Sequence, residues 1–192
     1  MSLILLVGKK GSGKDTVADY MVNNGWVKVS FAGFLKQGLQ VLFGLQDEQL
    51  WGDKKEVIDT KWEVSPRWLM QTIGTDILRD FMKNKLSYKV MINNKEYNFS
   101  FHIKRLHQEV EKLLKQNKNV VVADTRFQDE IKWGRLLGGK IIKITRKDIK
   151  SNKYSNHKSE EIESLENIDL VLNNDSSIES LYDNVKEIII KQ

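Results

Sequence analysis

The run Gly8-Lys9-Lys10-Gly11-Ser12-Gly13-Lys14-Asp15-Thr16 constrains this chain more than any other stretch. It follows a continuous apolar segment, Leu3–Val7, and precedes Thr16–Val22, whose apolar residues have helical spacing. A buried strand, a glycine-rich loop and a helix in that order are the setting of a phosphate-binding loop. The glycines let backbone N–H groups converge on phosphate oxygens, and the helix N-terminus adds its dipole. Gly8, Gly11, Ser12, Gly13, Lys14, Asp15 and Thr16 are therefore candidate phosphate contacts, with Lys14 reaching the outer phosphates. The hydroxyl that usually follows the lysine comes one step late. Asp15 takes its place and Thr16 follows, so Thr16 is the candidate hydroxyl on the metal or phosphate side. Asp15 either complements the helix N-terminus or sits near the transferred group and orders metal-bound water; both readings stay open.

The rest of the chain alternates. Val27–Ser30, Val120–Ala123, Lys140–Thr145 and Leu170–Leu172 read as strands. Ala32–Phe43, the stretch from Pro66 to Phe81, Ile103–Leu114, Phe127–Leu137 and Ser177–Ile190 read as helices, and Asp47–Leu50 as a helical turn. Pro66 suits a first helical turn, with Ser65 as its N-cap. Tyr88–Ile92 and Lys95–Phe99 flank Asn93-Asn94, a β-hairpin signal. Strands alternating with helices imply an α/β fold: a doubly wound parallel sheet of about five strands flanked by helices. Ligands in such folds bind beyond the carboxyl ends of the strands, where Gly8, Asp124 and Arg146 fall.

Composition narrows the class. A chain of 192 residues suits one domain. Zero cysteines exclude a disulfide framework and any cysteine-based metal site or nucleophile. No apolar run approaches a bilayer span and no secretory leader is evident, so the expectation is a cytoplasmic protein without a membrane partner. The net charge of +5 comes from scattered lysines, which argues against a nucleic-acid polymer as partner. Six of the 31 basic residues are arginine, the side chain that grips phosphate at two points. Four of the six, Arg67, Arg79, Arg126 and Arg146, lie at strand ends or on the helix opened by Pro66.

Beyond the loop, the chain resembles the phage- and viral-type deoxynucleoside monophosphate kinases of the P-loop nucleoside monophosphate kinase superfamily. The carriers are Gly8–Thr16, Ser65-Pro66-Arg67-Trp68-Leu69-Met70-Gln71 with Gly74-Thr75-Asp76, Asp124-Thr125-Arg126, His157-Lys158-Ser159-Glu160 and Asp169–Asn174. The hairpin departs from the pattern. The resemblance implies Mg²⁺-dependent transfer of the γ-phosphoryl of ATP to a deoxynucleoside monophosphate. It divides the chain into a kinase core over 1–192, an acceptor-binding segment over about 32–82, a hairpin insertion over about 87–100 and a lid over about 146–160.

Residue by residue, Arg67 and Gln71 become the acceptor contacts, joined by Lys10, Lys36, Gly74, Thr75 and Arg79. Arg126 bridges donor and acceptor phosphates, and Arg146 and Lys150 are the phosphate contacts of the lid. Trp68 either stacks on the acceptor base or belongs to the core. Asp124 is either the strand-end acid that reaches Mg²⁺ through water or the N-cap of the helix after it. Glu160 either reads the acceptor base or is a helix-face carboxylate. The catalytic group is thus Lys14, Arg126, Asp15 and Asp124, with Thr16 and Asp124 on the metal side. Small nucleotides are the expected partners, and a homodimer is compatible with the sequence. Competing readings are another small-molecule kinase of the same fold, such as a phosphomevalonate or dephospho-coenzyme A kinase, and an ATP-binding switch.

Overall fold

Leu3–Val7 (β1) is apolar at every position because the strand is covered on both faces. The computed structural model describes residues 1–83, 85–86, 88–147 and 162–190. Strand β1 lies at the centre of a parallel sheet that also holds β2 (Val27–Val29), β5 (Val120–Thr125), β6 (Lys140–Thr145) and β7 (Leu170–Asn173). The strand order is β2-β5-β1-β6-β7. Leu3 pairs with Val120 on one side and Val7 with Lys143 on the other.

Alternation along β1 builds two cores. Leu3, Leu5 and Val7 face α5 (Phe101–Lys115), α6 (Gln128–Leu136) and the hairpin, in a cluster with Ile103, Ile131 and Trp133. Ile4 and Leu6 face α1 (Lys14–Asn23) and α7 (Ile178–Ile190), packing with Val17, Met21, Leu181 and Val185. A third cluster, Leu35, Leu39, Leu45, Leu50 and Leu69, joins α2 (Gly33–Phe43), α3 (Asp47–Leu50) and α4 (Pro66–Gln71). It supports the segment expected to hold the acceptor.

The hairpin forms where the spacing predicts it. Strands β3 (Tyr88–Ile92) and β4 (Lys95–Phe99) pair antiparallel, with Ile92 opposite Lys95. Asn93 and Asn94 both adopt positive φ, 51° and 62°, as a two-residue type I′ turn demands. Its Val90, Ile92 and Phe99 are buried against α5, so the hairpin is part of one core.

Two local expectations change. The helix opened by Pro66 is α-helical only to Gln71; Thr72–Phe81 continues as a π-helix. Gly74 lies on its inner face, where a Cβ would come within 2.6 Å of a Leu35 methyl. Ser65 does cap α4, its Oγ accepting from the Trp68 N–H at 3.1 Å. The second change concerns Asp124. Strand β5 runs on to Thr125 and α6 starts at Gln128, so Asp124 is not that helix's N-cap. Glu130 does this work, accepting from the N–H groups of Arg126 (2.8 Å) and Phe127 (3.2 Å).

Candidate active site

The loop after β1 is held from two sides. Gly8 has φ 154°, and a Cβ there would strike the Ile144 carbonyl of β6 and come within 2.7 Å of Ser12 Oγ. Gly13 has φ 101°, and a Cβ would strike the Asn174 side chain. That amide, just past β7, donates to the Ser12 carbonyl at 2.9 Å. The Asn174 N–H in turn donates to the Thr145 carbonyl at 2.8 Å. The outer strands thus fix the loop's shape. Asn174 lies within a stretch that carries the resemblance, but the sequence offers no sign of this buttress, which spans 162 positions.

Lys14 is buried, and its ammonium donates to the carbonyls of Gly8 (2.6 Å) and Lys9 (2.8 Å). It lies across the loop that a phosphate would enter. Ser12 Oγ is buried, with no hydrogen-bond partner among the described residues. Gly11 is exposed at the loop's tip and Thr16 is half-buried in the first turn of α1. Asp15 is exposed and pairs with Lys28 at 3.1 Å. Desolvation would raise its carboxyl. The hydrogen bond and charge of Lys28, then the charges of Lys14 and Lys36, outweigh this and hold it below the ordinary aspartate value.

Beside this loop lies a concentration of positive charge drawn from separate segments. Lys10 bonds Glu56, and Arg67, at the start of α4, comes within 3.9 Å of the same carboxylate. Burial pushes the Lys36 ammonium down to about 8, with the positive charge of Lys55 adding to the effect, Asp124 and Asp15 opposing it, and Arg67 lowering it further. Lys55 is itself lowered, by burial and then by Arg67, with Lys10 and Arg126 contributing. Like charges this close disfavour one another, so the cluster is set to receive an anion. Lys55 and Glu56, in the 3₁₀ turn Lys54–Glu56, were not among the site residues expected from the sequence. Their only signal is a short charged run in a polar stretch, which reads as solvated surface.

The expected acceptor residues separate. Gln71, Gly74 and Thr75 are buried along one face of α4 and its π-helical continuation, and the Gln71 Nε2 has no hydrogen-bond partner among the described residues. His102 of α5 packs behind them, with burial and then the Arg79 charge pushing its imidazole down to about 3. Trp68 is 46% exposed, so the core reading of it fails. Arg79 does not join the cluster. It is buried, bonds Asp129 through Nη1 at 2.7 and 2.9 Å, bonds Glu130 through Nη2 and stacks 3.7 Å over the Phe127 ring. Its fork is spent on two carboxylates of the α6 start, a structural role in place of the expected substrate contact.

Asp124 accepts three hydrogen bonds, from Ser30 Oγ (2.7 Å), Phe31 N (2.8 Å) and Ala32 N (2.9 Å). Both of its oxygens are thereby engaged, which leaves room for a metal ion through water rather than directly. Among the described residues no group of three acidic or histidine side chains stands ready to hold a metal ion. Mg²⁺ carried in on substrate phosphates would need only one or two protein ligands and would keep several waters. Thr16 and Asp124 fit that modest demand.

Arg126 is half-buried just past β5, and Arg146 is exposed at the end of β6. Lys150, His157 and Glu160, and with them most of the expected lid, lie outside the described residues. No helix among the described residues is long and apolar enough to cross a membrane.

Comparison with known proteins agrees with this geometry. Over its full length the chain is similar to the dephospho-CoA kinase from Campylobacter jejuni, with a TM-score of 0.56 at 16% identity over 98% of this chain and 96% of that one. It is similar also to a Thermus thermophilus protein, with a TM-score of 0.51 at 16% identity over 99% and 97%. Likeness at that identity speaks for the fold alone, a parallel sheet flanked by helices. Sequence goes further. A protein of Acanthamoeba polyphaga mimivirus, provisionally named a deoxynucleotide monophosphate kinase, is 38% identical over 96% of this chain and 94% of its own. The pattern of the family described as deoxynucleotide monophosphate kinase matches residues 45–185, which hold Lys55, Glu56, Arg67, Gln71, Asp124 and Arg126. A phosphate-type loop, a cationic cluster beside it and this match together place the chain in the deoxynucleotide monophosphate kinase family, phosphotransferases that phosphorylate deoxynucleoside monophosphates with ATP as the implied donor.

Proposed function

We propose that the loop Gly8–Thr16 holds the phosphates of ATP and that Lys10, Lys36, Lys55, Arg67 and Gln71 hold the acceptor monophosphate, with Arg126 between the two. The carrying observation is the gathering of cations from the loop, α2, the 3₁₀ turn, α4 and the end of β5. Phosphoryl transfer asks little covalent chemistry of a protein. It asks for two phosphorylated molecules aligned end to end, with positive charge where negative charge spreads.

In this reading an oxygen of the acceptor phosphate attacks the γ-phosphorus of ATP. The bond from that phosphorus to the β–γ bridging oxygen breaks, ADP leaves, and a deoxynucleoside diphosphate forms. The acceptor is already ionised at neutral pH, so no general base is required. Lys14 leaves the Gly8 and Lys9 carbonyls for the outer phosphates. Thr16 and Asp124 would be the residues to hold Mg²⁺ brought in on those phosphates, Asp124 through water, and the ion would supply further charge neutralisation. Asp15, held ionised by Lys28, would order the metal-bound water. Gly74 and Thr75 give the acceptor a close-packed wall beside the Gln71 amide, and exposed Trp68 offers a ring for stacking. Arg146 closes on the donor from the end of β6.

The test is a panel of deoxynucleoside monophosphates at one ATP concentration, repeated with Arg67→Ala. The expected outcome is turnover of at least one acceptor, with acceptor KM raised far more than ATP KM in the variant. A single interaction of this kind, partly buried, is worth about 1.5–3 kcal/mol, or about 10- to 150-fold in acceptor KM. Equal effects on both substrates would move the acceptor site elsewhere.

A further inference from the structure

We propose that Glu56 is the resident counter-ion of the acceptor-phosphate site, and that it decides which anions the site admits. The inference rests on the acceptor assignment made above. Its geometry is direct. Glu56 Oε1 is bonded by Lys10 Nζ and lies 3.9 Å from Arg67 Nη2. The side chain of Arg67 is only 12% exposed, whereas that of Glu56 is 34% exposed. Glu56 ends a short 3₁₀ turn with extended chain after it, so its carboxylate can swing into water without disturbing a core. Lys10 and Arg67 are rooted elsewhere, on the loop after β1 and on α4.

A carboxylate and a phosphate offer the same kind of oxygen to a lysine or an arginine fork. Glu56 therefore occupies, with its own tethered oxygens, the contacts that an acceptor phosphate needs. The tether matters. An intramolecular ligand competes at an effective concentration in the millimolar range or above. A free monoanion carries the same single charge without that advantage, and loses. A phosphomonoester dianion carries a second charge and a third oxygen, and wins. Burial, then Arg67 and Lys10 against the pull of Asp15, disfavour the Lys55 charge, and an arriving dianion would offset that. The hydrogen bond from Lys10 holds the Glu56 carboxyl below the ordinary glutamate value, so it leaves as a carboxylate and not by taking a proton.

The test is Glu56→Gln in the full chain, alongside Glu56→Ala and the Arg67→Ala control. Without the competing carboxylate, acceptor KM should fall about three- to tenfold at low salt, with ATP KM unmoved and the gain shrinking as salt rises. Acetate, a free copy of the lost group, should become a competitive inhibitor toward the acceptor in Glu56→Gln at concentrations that leave the natural sequence unaffected. Inorganic phosphate, followed by calorimetry without turnover, should bind both Glu56 variants more tightly. Thermal melts identify a variant that fails to fold, and the other variant then carries the test. An acceptor KM that is unchanged or raised in folded Glu56 variants, while Arg67→Ala raises it, overturns this inference and leaves the acceptor assignment standing. An acceptor KM that Arg67→Ala does not move overturns the assignment itself.

Discussion

Replacing Arg79 with alanine separates the two roles this residue could have. The sequence makes it an acceptor contact; the structure buries it between Asp129 and Glu130 and lays it over Phe127. Removing one partner of a buried ion pair leaves the other charge desolvated, at a cost of about 3–5 kcal/mol. For a chain of this size about 2–4 °C of melting temperature goes with each kcal/mol, so Arg79→Ala should melt roughly 6–20 °C lower.

The pH dependence sharpens the test. Burial pushes the Glu130 carboxyl from its ordinary 4.5 up to about 7, with Arg79 pulling it down and Asp129 pushing it up. A folded-state value above the unfolded one means that the folded protein holds the extra proton. This group therefore stabilises fully below about 4.5, and that contribution fades as the pH rises through about 7. Loss of Arg79 raises Glu130 further. At about pH 5.5 the bared carboxyl takes a proton readily and the cost is small; toward about pH 8 keeping it protonated or leaving it charged both cost more, so the loss grows with pH. Urea unfolding of both proteins across that range reads the difference directly. A loss below about 1 kcal/mol at alkaline pH, combined with a raised acceptor KM, would return Arg79 to the substrate site and refute the reasoning.

Two further expectations concern the loop and the end of β5. Lys14→Met should cut kcat by about 10²- to 10³-fold with the circular dichroism spectrum unaltered, since it removes a charge aimed at the transferred group; retained activity would sink the loop assignment. Asp124→Ala should cost about 2–4 kcal/mol in urea unfolding, because it strands two backbone N–H groups and a hydroxyl. Amide exchange at Phe31 and Ala32 should quicken with it, and unchanged exchange there would contradict the three-bond arrangement.

Most of the fold is legible in the sequence because it is written locally. The apolar runs of β1, β5 and β6, the Ser65-Pro66 cap and the Asn93-Asn94 turn each act within a few residues of themselves. What escapes the sequence is what distant partners decide. The widening of the chain after Gln71 accompanies Gly74 meeting Leu35 and Arg79 meeting an acid pair about 50 positions away. The start of α6 moves because Glu130 reaches back to two N–H groups, a role its sequence position shares with any acid in a first turn. The site divides in the same way. Lys14 and its loop are announced by a motif, whereas Lys55 and Glu56 sit in a polar stretch without period and gain meaning only when Lys10 and Arg67 stand beside them.

Asp124 has a consequence for how such a site can move. Its carboxylate ties the end of a central strand to Ser30, Phe31 and Ala32, the residues that lead into α2, the helix that carries Lys36. In the proposed site the floor under the donor and one wall around the acceptor therefore share a single reference point, and a rotation of α2 would strain three hydrogen bonds together. Adjustment to substrates of different size must then come from the parts without that tie, above all the turn bearing Lys55 and Glu56. Breadth of acceptor choice would on this view be set by the compliance of one short turn, while the spacing of the reacting phosphates stays constant from one base to the next.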